Sequence, residues 1–256
     1  AHWLLQVENN EARLIQAGGT TENDSPASST SVATGPYDLN DKTGFINEFA
    51  DDVRRIYRWQ NLRRLAGEYA TAGSDVSSGG LELEFVKCRD ASSTECEPVP
   101  AGDRLPVGQK ARIRMRNTGR SALDVTLLML DASFGIDALF PSAGQYGRLR
   151  PSEHHSIDLE IIGDTMGKEH FVVIAVPSQK GVQRADFAWL AQPALRLEER
   201  TRGGGGRTPL EELLATAVFA EGKTRGVKLS GSESVQVLFH LITWETVPVS
   251  TSDSRP

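Results

Sequence analysis

The chain has 256 residues, 39% of them hydrophobic, enough for one large domain or a medium one with attachments around a real core. A formal net charge of -6, from 28 basic and 34 acidic residues, argues against a general nucleic-acid or anionic-membrane binder and for protein or peptide partners. No run approaches the ~18 to 20 apolar residues of a membrane span, and Trp3-Leu4-Leu5 is too short for a signal-peptide core, so a chain opening at Ala1 reads as a fragment of something longer.

Residues 3–7 and 12–16 read as two short strands around the polar turn Glu8-Asn9-Asn10-Glu11, a hairpin that must borrow a neighbouring sheet to be stable. Residues 18–36, rich in Ser, Thr, Gly and Pro, read as a linker. From about residue 42 to 69 the period is helical. Phe45, Phe49, Val53, Ile56, Leu62, Leu65, Ala66 and Tyr69 recur at spacings of three and four, with Asn40 or Asp41 available as N-cap. The polar side of that helix carries Arg54, Arg55, Arg58, Arg63 and Arg64, with Tyr57 and Trp59 among them. Arg54, Arg55, Arg58 and Trp59 are the candidate docking surface for an acidic partner. The plainer reading is a solvated face paired with Glu48, Asp51, Asp52 and Glu68.

After the Gly- and Ser-rich residues 72–80 the period changes to two. Leu81, Leu83 and Phe85 alternate with Glu82 and Glu84, and Ala111, Ile113 and Met115 alternate with Arg112, Arg114 and Arg116. If these strands are neighbours, the glutamates face the arginines. Cys88 and Cys96, separated by RDASSTE, either form one disulfide in an oxidising compartment or stay as free thiols, and the compartment is left open with the cytoplasm ahead of the periplasm. Residues 123–130, a turn at 131–135 and residues 136–140 form the central hairpin, closed by Pro141. Ile157, Leu159 and Ile161 mark another alternating strand, and the doubly apolar run 170–176 marks a central one. Residues 186–190 are expected to cap the open end of the sandwich. A Pro-led capping box at Thr208 opens a late helix carrying Leu210, Leu213, Leu214, Ala217 and Val218, and a strand over 234–244 precedes a polar tail.

With the strands laid out, residues 106–180 resemble a bacterial domain that commonly lies C-terminal to a caspase-like cysteine peptidase domain. The resemblance is carried by Val107-Gly108-Gln109, Leu127 to Asp131, Phe134-Gly135, Leu139-Phe140-Pro141, Gly167-Lys168-Glu169, Val172 to Ala175 and Asp186-Phe187. Residues 58–66 are similar to the helix joining peptidase and accessory domain in those proteins, and the segments around Phe219 to Gly226 and Thr243-Trp244 are similar to their ending. The resemblance implies an upstream caspase-like catalytic domain as partner.

The chain itself offers no catalytic constellation. A caspase-type site needs a thiolate activated by a His upstream of a Gln-Ala-Cys-like setting, but Cys88 sits in Val-Lys-Cys-Arg-Asp and only His2 precedes it. His154, His155, His170 and His240 lack metal-ligand spacing, Gly222-Lys223-Thr224 lacks the first glycine of a phosphate loop, and no Gly-x-Ser-x-Gly elbow exists. No catalytic residue, cofactor or metal is therefore expected. The sequence reads as a mainly β, immunoglobulin-like sandwich with an N-terminal hairpin and two packed α-helices, divided into a connector (1–72), the sandwich (79–250) and a tail (251–256). The expected role is a non-catalytic accessory or regulatory module, binding a substrate or partner protein or restraining the protease. The rivals are a stand-alone envelope or extracellular binding sandwich and a processed subunit of an active peptidase.

Overall fold

The computed structural model describes residues 2–17, 33–72, 80–90, 93, 95–142, 144–178, 183–195 and 237–249. Alternating apolar residues build two stacked sheets. One has strand order β11 (His154–Glu160), β7 (Lys110–Asn117), β4 (Leu81–Cys88), β5 (Cys96–Pro98). The other runs β10 (Arg148–Leu149), β8 (Leu123–Leu130), β12 (Gly167–Pro177), β13 (Leu238–Val247), β6 (Arg104–Pro106), and β9 (Ile136–Phe140) also pairs with β8. With β4, β7 and β11 on one sheet and β9, β8, β12 and β13 on the other, the chain passes between the layers in the order of an immunoglobulin-type sandwich.

The period of two decides which side chain enters which core. On β7, Ala111, Ile113 and Met115 are buried between the sheets, while the intervening cations face out. Arg112 donates to Asp158 at 2.5 Å and Arg114 to Glu84 at 2.9 Å, and Lys110 pairs with Glu160. Exposed pairs of this kind contribute about 0 to 1 kcal/mol each, so this ladder selects register more than it adds stability. Phe85, Phe171 and Trp244 form the sandwich centre, with ring centroids 4.4 to 5.4 Å apart.

The sheet carrying β8 and β12 is apolar on its outer face as well. Leu128, Leu130, Val172, Ile174, Val176 and Phe239 point away from the sandwich into a second core, shared with α1 (Lys42–Ala72) and a three-stranded sheet of β1 (His2–Glu8), β2 (Glu11–Ala17) and β3 (Ala33–Asp38). Asp41 caps α1 by accepting the Gly44 N–H at 3.0 Å, and 31 residues make the helix about 46 Å long. Its buried side holds Ile56, Trp59, Leu62 and Ala66. Near its start, Asp52 accepts hydrogen bonds from Thr34 and, at 2.8 Å, from the Tyr37 hydroxyl, which ties β3 to the helix through a buried polar cluster. The connector and the sandwich are thus continuous in packing.

Some expectations change. The linker ends before Ala33, because residues 33–38 form β3 with Thr34 and Tyr37 each only 2% exposed. The short strands β5 and β6 were not anticipated. The single-turn helix Ala188–Leu190 lies on the outer face of the β8–β12 sheet, where Phe187 and Leu190 join the α1 core, and not at the open end of the sandwich. β13 begins at Leu238 and pairs with β12 and, in parallel, with β6. Among the described residues there is one α-helix; the second, expected over 210–218, lies outside them, as do 18–32 and the tail beyond 249. No helix of the described residues is long and apolar enough to cross a membrane.

Candidate functional site

The arginine face of α1 is largely engaged within the helix. Arg54 reaches Asp51 at 2.5 Å, Arg55 reaches Asp52 at 3.9 Å and Arg64 reaches Glu68 at 3.1 Å, the i,i+3 and i,i+4 pairs that helix geometry brings together. Arg58 is half-buried and engaged as well. Trp59 is not on this face. It is 8% exposed, edge-on to Phe134 at 5.2 Å and to His170 at 5.4 Å, with the Arg63 guanidinium 5.9 Å above its ring. Of the candidate docking residues, Arg54 is the one whose guanidinium stands clearly in solvent.

Trp59 is held there by the turn of the central hairpin, residues 131–135, whose contact with the helix the sequence did not reveal. In the turn after β8, Asp131 accepts the N–H groups of Ser133 at 2.7 Å and Gly135 at 2.8 Å, and Phe134 takes the left-handed conformation at φ 65°. The Phe134 ring then enters between Trp3 of β1 and Trp59 of α1. Gln192 fastens the same junction, donating to the Arg55 carbonyl at 2.9 Å and the Phe134 carbonyl at 2.8 Å. This junction welds the helix to the sandwich.

Cys88 and Cys96 face each other across the β4–β5 pair and are joined as a disulfide, so the two-free-thiol alternative does not hold. The chain has no free cysteine. His154 and His155 point to opposite sides of β11, as adjacent strand residues must, and His155 packs on Phe140 at 4.3 Å. His170 is buried with Nδ1 2.8 Å from the Thr243 hydroxyl. Burial lowers its pKa to about 4, with Arg63 and Lys168 adding to the shift. Burial also lowers His240. Glu169 is 2% exposed at the end of the sandwich core, accepting from Thr165 at 2.7 Å and Thr246 at 2.5 Å; burial raises its pKa against those hydrogen bonds. Among the described residues, no three His, Cys, Asp or Glu side chains converge as a metal-binding set.

What the surface offers instead is an edge. Among the described residues β1 pairs with β2 on one side only, and Leu4, Leu5 and Val7 are 60, 47 and 58% exposed. Its turn, with Asn9 at φ 50° and Asn10 at φ 62°, is the mirror-image type that suits a two-residue hairpin. Beside that turn lies an open, polar hollow of about 280 Å³ lined by Asn9, Asn10, Glu11, Pro36, Asp38 and Asn40.

No family model and no curated protein matches the chain. Among solved structures, the seventh PapD-like (ASH) domain of human CEP192 is similar at 7% identity and a TM-score of 0.23, over 67% of this chain and 87% of that one. A beta-glucosidase from Listeria innocua in complex with gluconolactone is similar at 14% identity and a TM-score of 0.18, over 40% of this chain and 15% of that one. Overlaps that weak support no argument, and the sandwich assignment rests on the strand order itself.

Proposed function

We propose that the chain is a non-catalytic, immunoglobulin-like binding module, the C-terminal accessory part of a bacterial caspase-like cysteine peptidase. The observation that carries the non-catalytic half is the Cys88–Cys96 disulfide: the chain's two cysteine sulfurs are bonded to each other on an edge hairpin, so neither is a nucleophile in this state. The peptidase half is supported by the ordered matches between residues 106 and 180, which map onto β7, the β8–β9 hairpin and β12, the strands that build the sandwich.

The disulfide also favours a refinement. Such bonds persist in oxidising compartments, so the module belongs outside the cytoplasm, and the stand-alone envelope or extracellular sandwich is the second reading on the same observation. The reading frame upstream of Ala1 separates the two. A His and Cys dyad in a caspase-like setting supports the accessory module, and an export signal joined directly to this chain overturns it in favour of the stand-alone sandwich.

A further inference from the structure

We propose that the edge of β1, unpaired among the described residues, is the docking site of this module, and that its occupant is an extended partner segment running antiparallel to β1, alternating apolar side chains and placing a Lys or Arg opposite Glu8. The proposal rests on the partner-binding reading above and names the surface and the chemistry of that partner.

Three observations converge on it. First, β1 is seven residues long and bonded to β2 alone, so alternate backbone N–H and C=O groups along Leu4 to Glu8 point outward with no strand to meet them among the described residues. Such edges are normally blunted by Lys, Pro, a bulge or shortness, and β1 has none of these; the bulge in this sheet lies on the far side of β2, against β3. Second, Leu5 and Val7 share a face with Leu14 and Ala12, their partners on β2. Those partners are buried, while Leu5 and Val7 stay 47 and 58% exposed. The apolar face therefore runs past the cover of the α1 core and stops one strand short. Third, the turn end of the edge is acidic: Glu8, Glu11 and Asp38 gather there against Arg13, which meets Glu11 at 3.6 Å, and the hollow beside them is lined, apart from Pro36, by Asn, Asp and Glu side chains.

An added strand takes its affinity from main-chain hydrogen bonds and its specificity from alternate side chains. Against β1 those side chains are apolar opposite Val7, Leu5 and Trp3, and cationic at the Glu8 end. A second copy of the chain fits less well, because its own β1 carries no Lys or Arg to offer the acidic end.

The test uses the full chain, isotopically labelled, and the peptide acetyl-Lys-Val-Thr-Val-Thr-Val-Thr-amide, followed by amide shifts. Expected are shifts confined to β1 and its turn, binding several-fold tighter than for the same peptide with Glu in place of Lys, and a loss of about tenfold or more when the outward amides of the peptide are N-methylated, since each lost hydrogen bond is worth about 0.5 to 1.5 kcal/mol. Glu8→Lys, at an exposed position, should reverse the Lys-over-Glu preference by about threefold, the scale of an exposed ion pair. Shifts elsewhere, indifference to N-methylation, or concentration-dependent self-association through β1 without peptide would each overturn the proposal. Any of those leaves the accessory-module reading to be judged by the upstream dyad alone.

Discussion

Replacing Trp59 with Ala separates a core residue from a docking residue most sharply. An aromatic side chain buries about 150 to 250 Å², and Trp59 is 8% exposed, so truncation returns close to that whole area to solvent or cavity. At about 25 cal/mol per Å², some 200 Å² corresponds to about 5 kcal/mol. A compact denatured state reduces that by about 10 to 40%, leaving roughly 3 to 4.5 kcal/mol, within the range of about 3 to 5 for Trp→Ala in a core. Urea denaturation of W59A should therefore show a much lower midpoint with little change in slope. Arg54→Ala, removing one exposed i,i+3 pair, should stay within about 0.5 kcal/mol of the parent. The indole N–H of Trp59 has no hydrogen-bond partner, so Trp59→Phe, which keeps a ring against Phe134 and His170, should cost less than W59A. A midpoint for W59A equal to that of R54A would refute the packing argument and return Trp59 to the surface.

Further outcomes follow from the same geometry. Reducing Cys88–Cys96, which closes a short loop with a sequence separation of 8, should cost about 2.5 kcal/mol on the chain-entropy account. Thiol titration of the unfolded, unreduced chain should find no free thiol, and two reactive thiols there would contradict the pairing. The His170 pKa is depressed from 6.5 to about 4, so between those values the unfolded state holds the extra proton and stability falls as pH drops through that window. An imidazole NMR titration should place its midpoint near 4; a midpoint at 6.5 would show that the ring is not buried. Glu169 has the opposite sign. Its folded pKa is raised above the ordinary 4.5, so its contribution is most favourable in acid and is lost as pH rises through the folded value. Glu169→Gln should thus gain stability relative to the parent at neutral pH and lose that gain in acid, and a pH-independent difference between the two would argue that burial does not govern this carboxyl.

Much of the sandwich is legible in the sequence because its strands alternate or are apolar throughout. β8 has the bounds read from its pattern, β7 holds the alternating residues 111–116, and the doubly apolar run at 170–176 is the strand that faces two cores at once. β3 was hidden because Ala-Thr-Gly-Pro-Tyr-Asp has one large side chain, and the interactions that make it a strand, Thr34 and Tyr37 to Asp52, join residues 15 to 18 positions apart. The docking candidates were harder. Arg54, Arg55 and Arg58 sit where helical spacing puts them, but Trp59 turns inward because Phe134, from the turn after β8, and His170, from β12, lie more than 70 residues away in sequence. The cysteine pairing depends on the register that sets Cys88 opposite Cys96, and spacing alone does not specify register. The β1 edge became a candidate only once the strand order showed no further strand of the described residues beyond it.

The claim that this module binds and does not cleave is tested most directly by a peptidase assay of the isolated chain, oxidised and reduced, with and without iodoacetamide. The account predicts no turnover in any of the four conditions. Cleavage that appears on reduction and disappears on alkylation of Cys88 or Cys96 would contradict it.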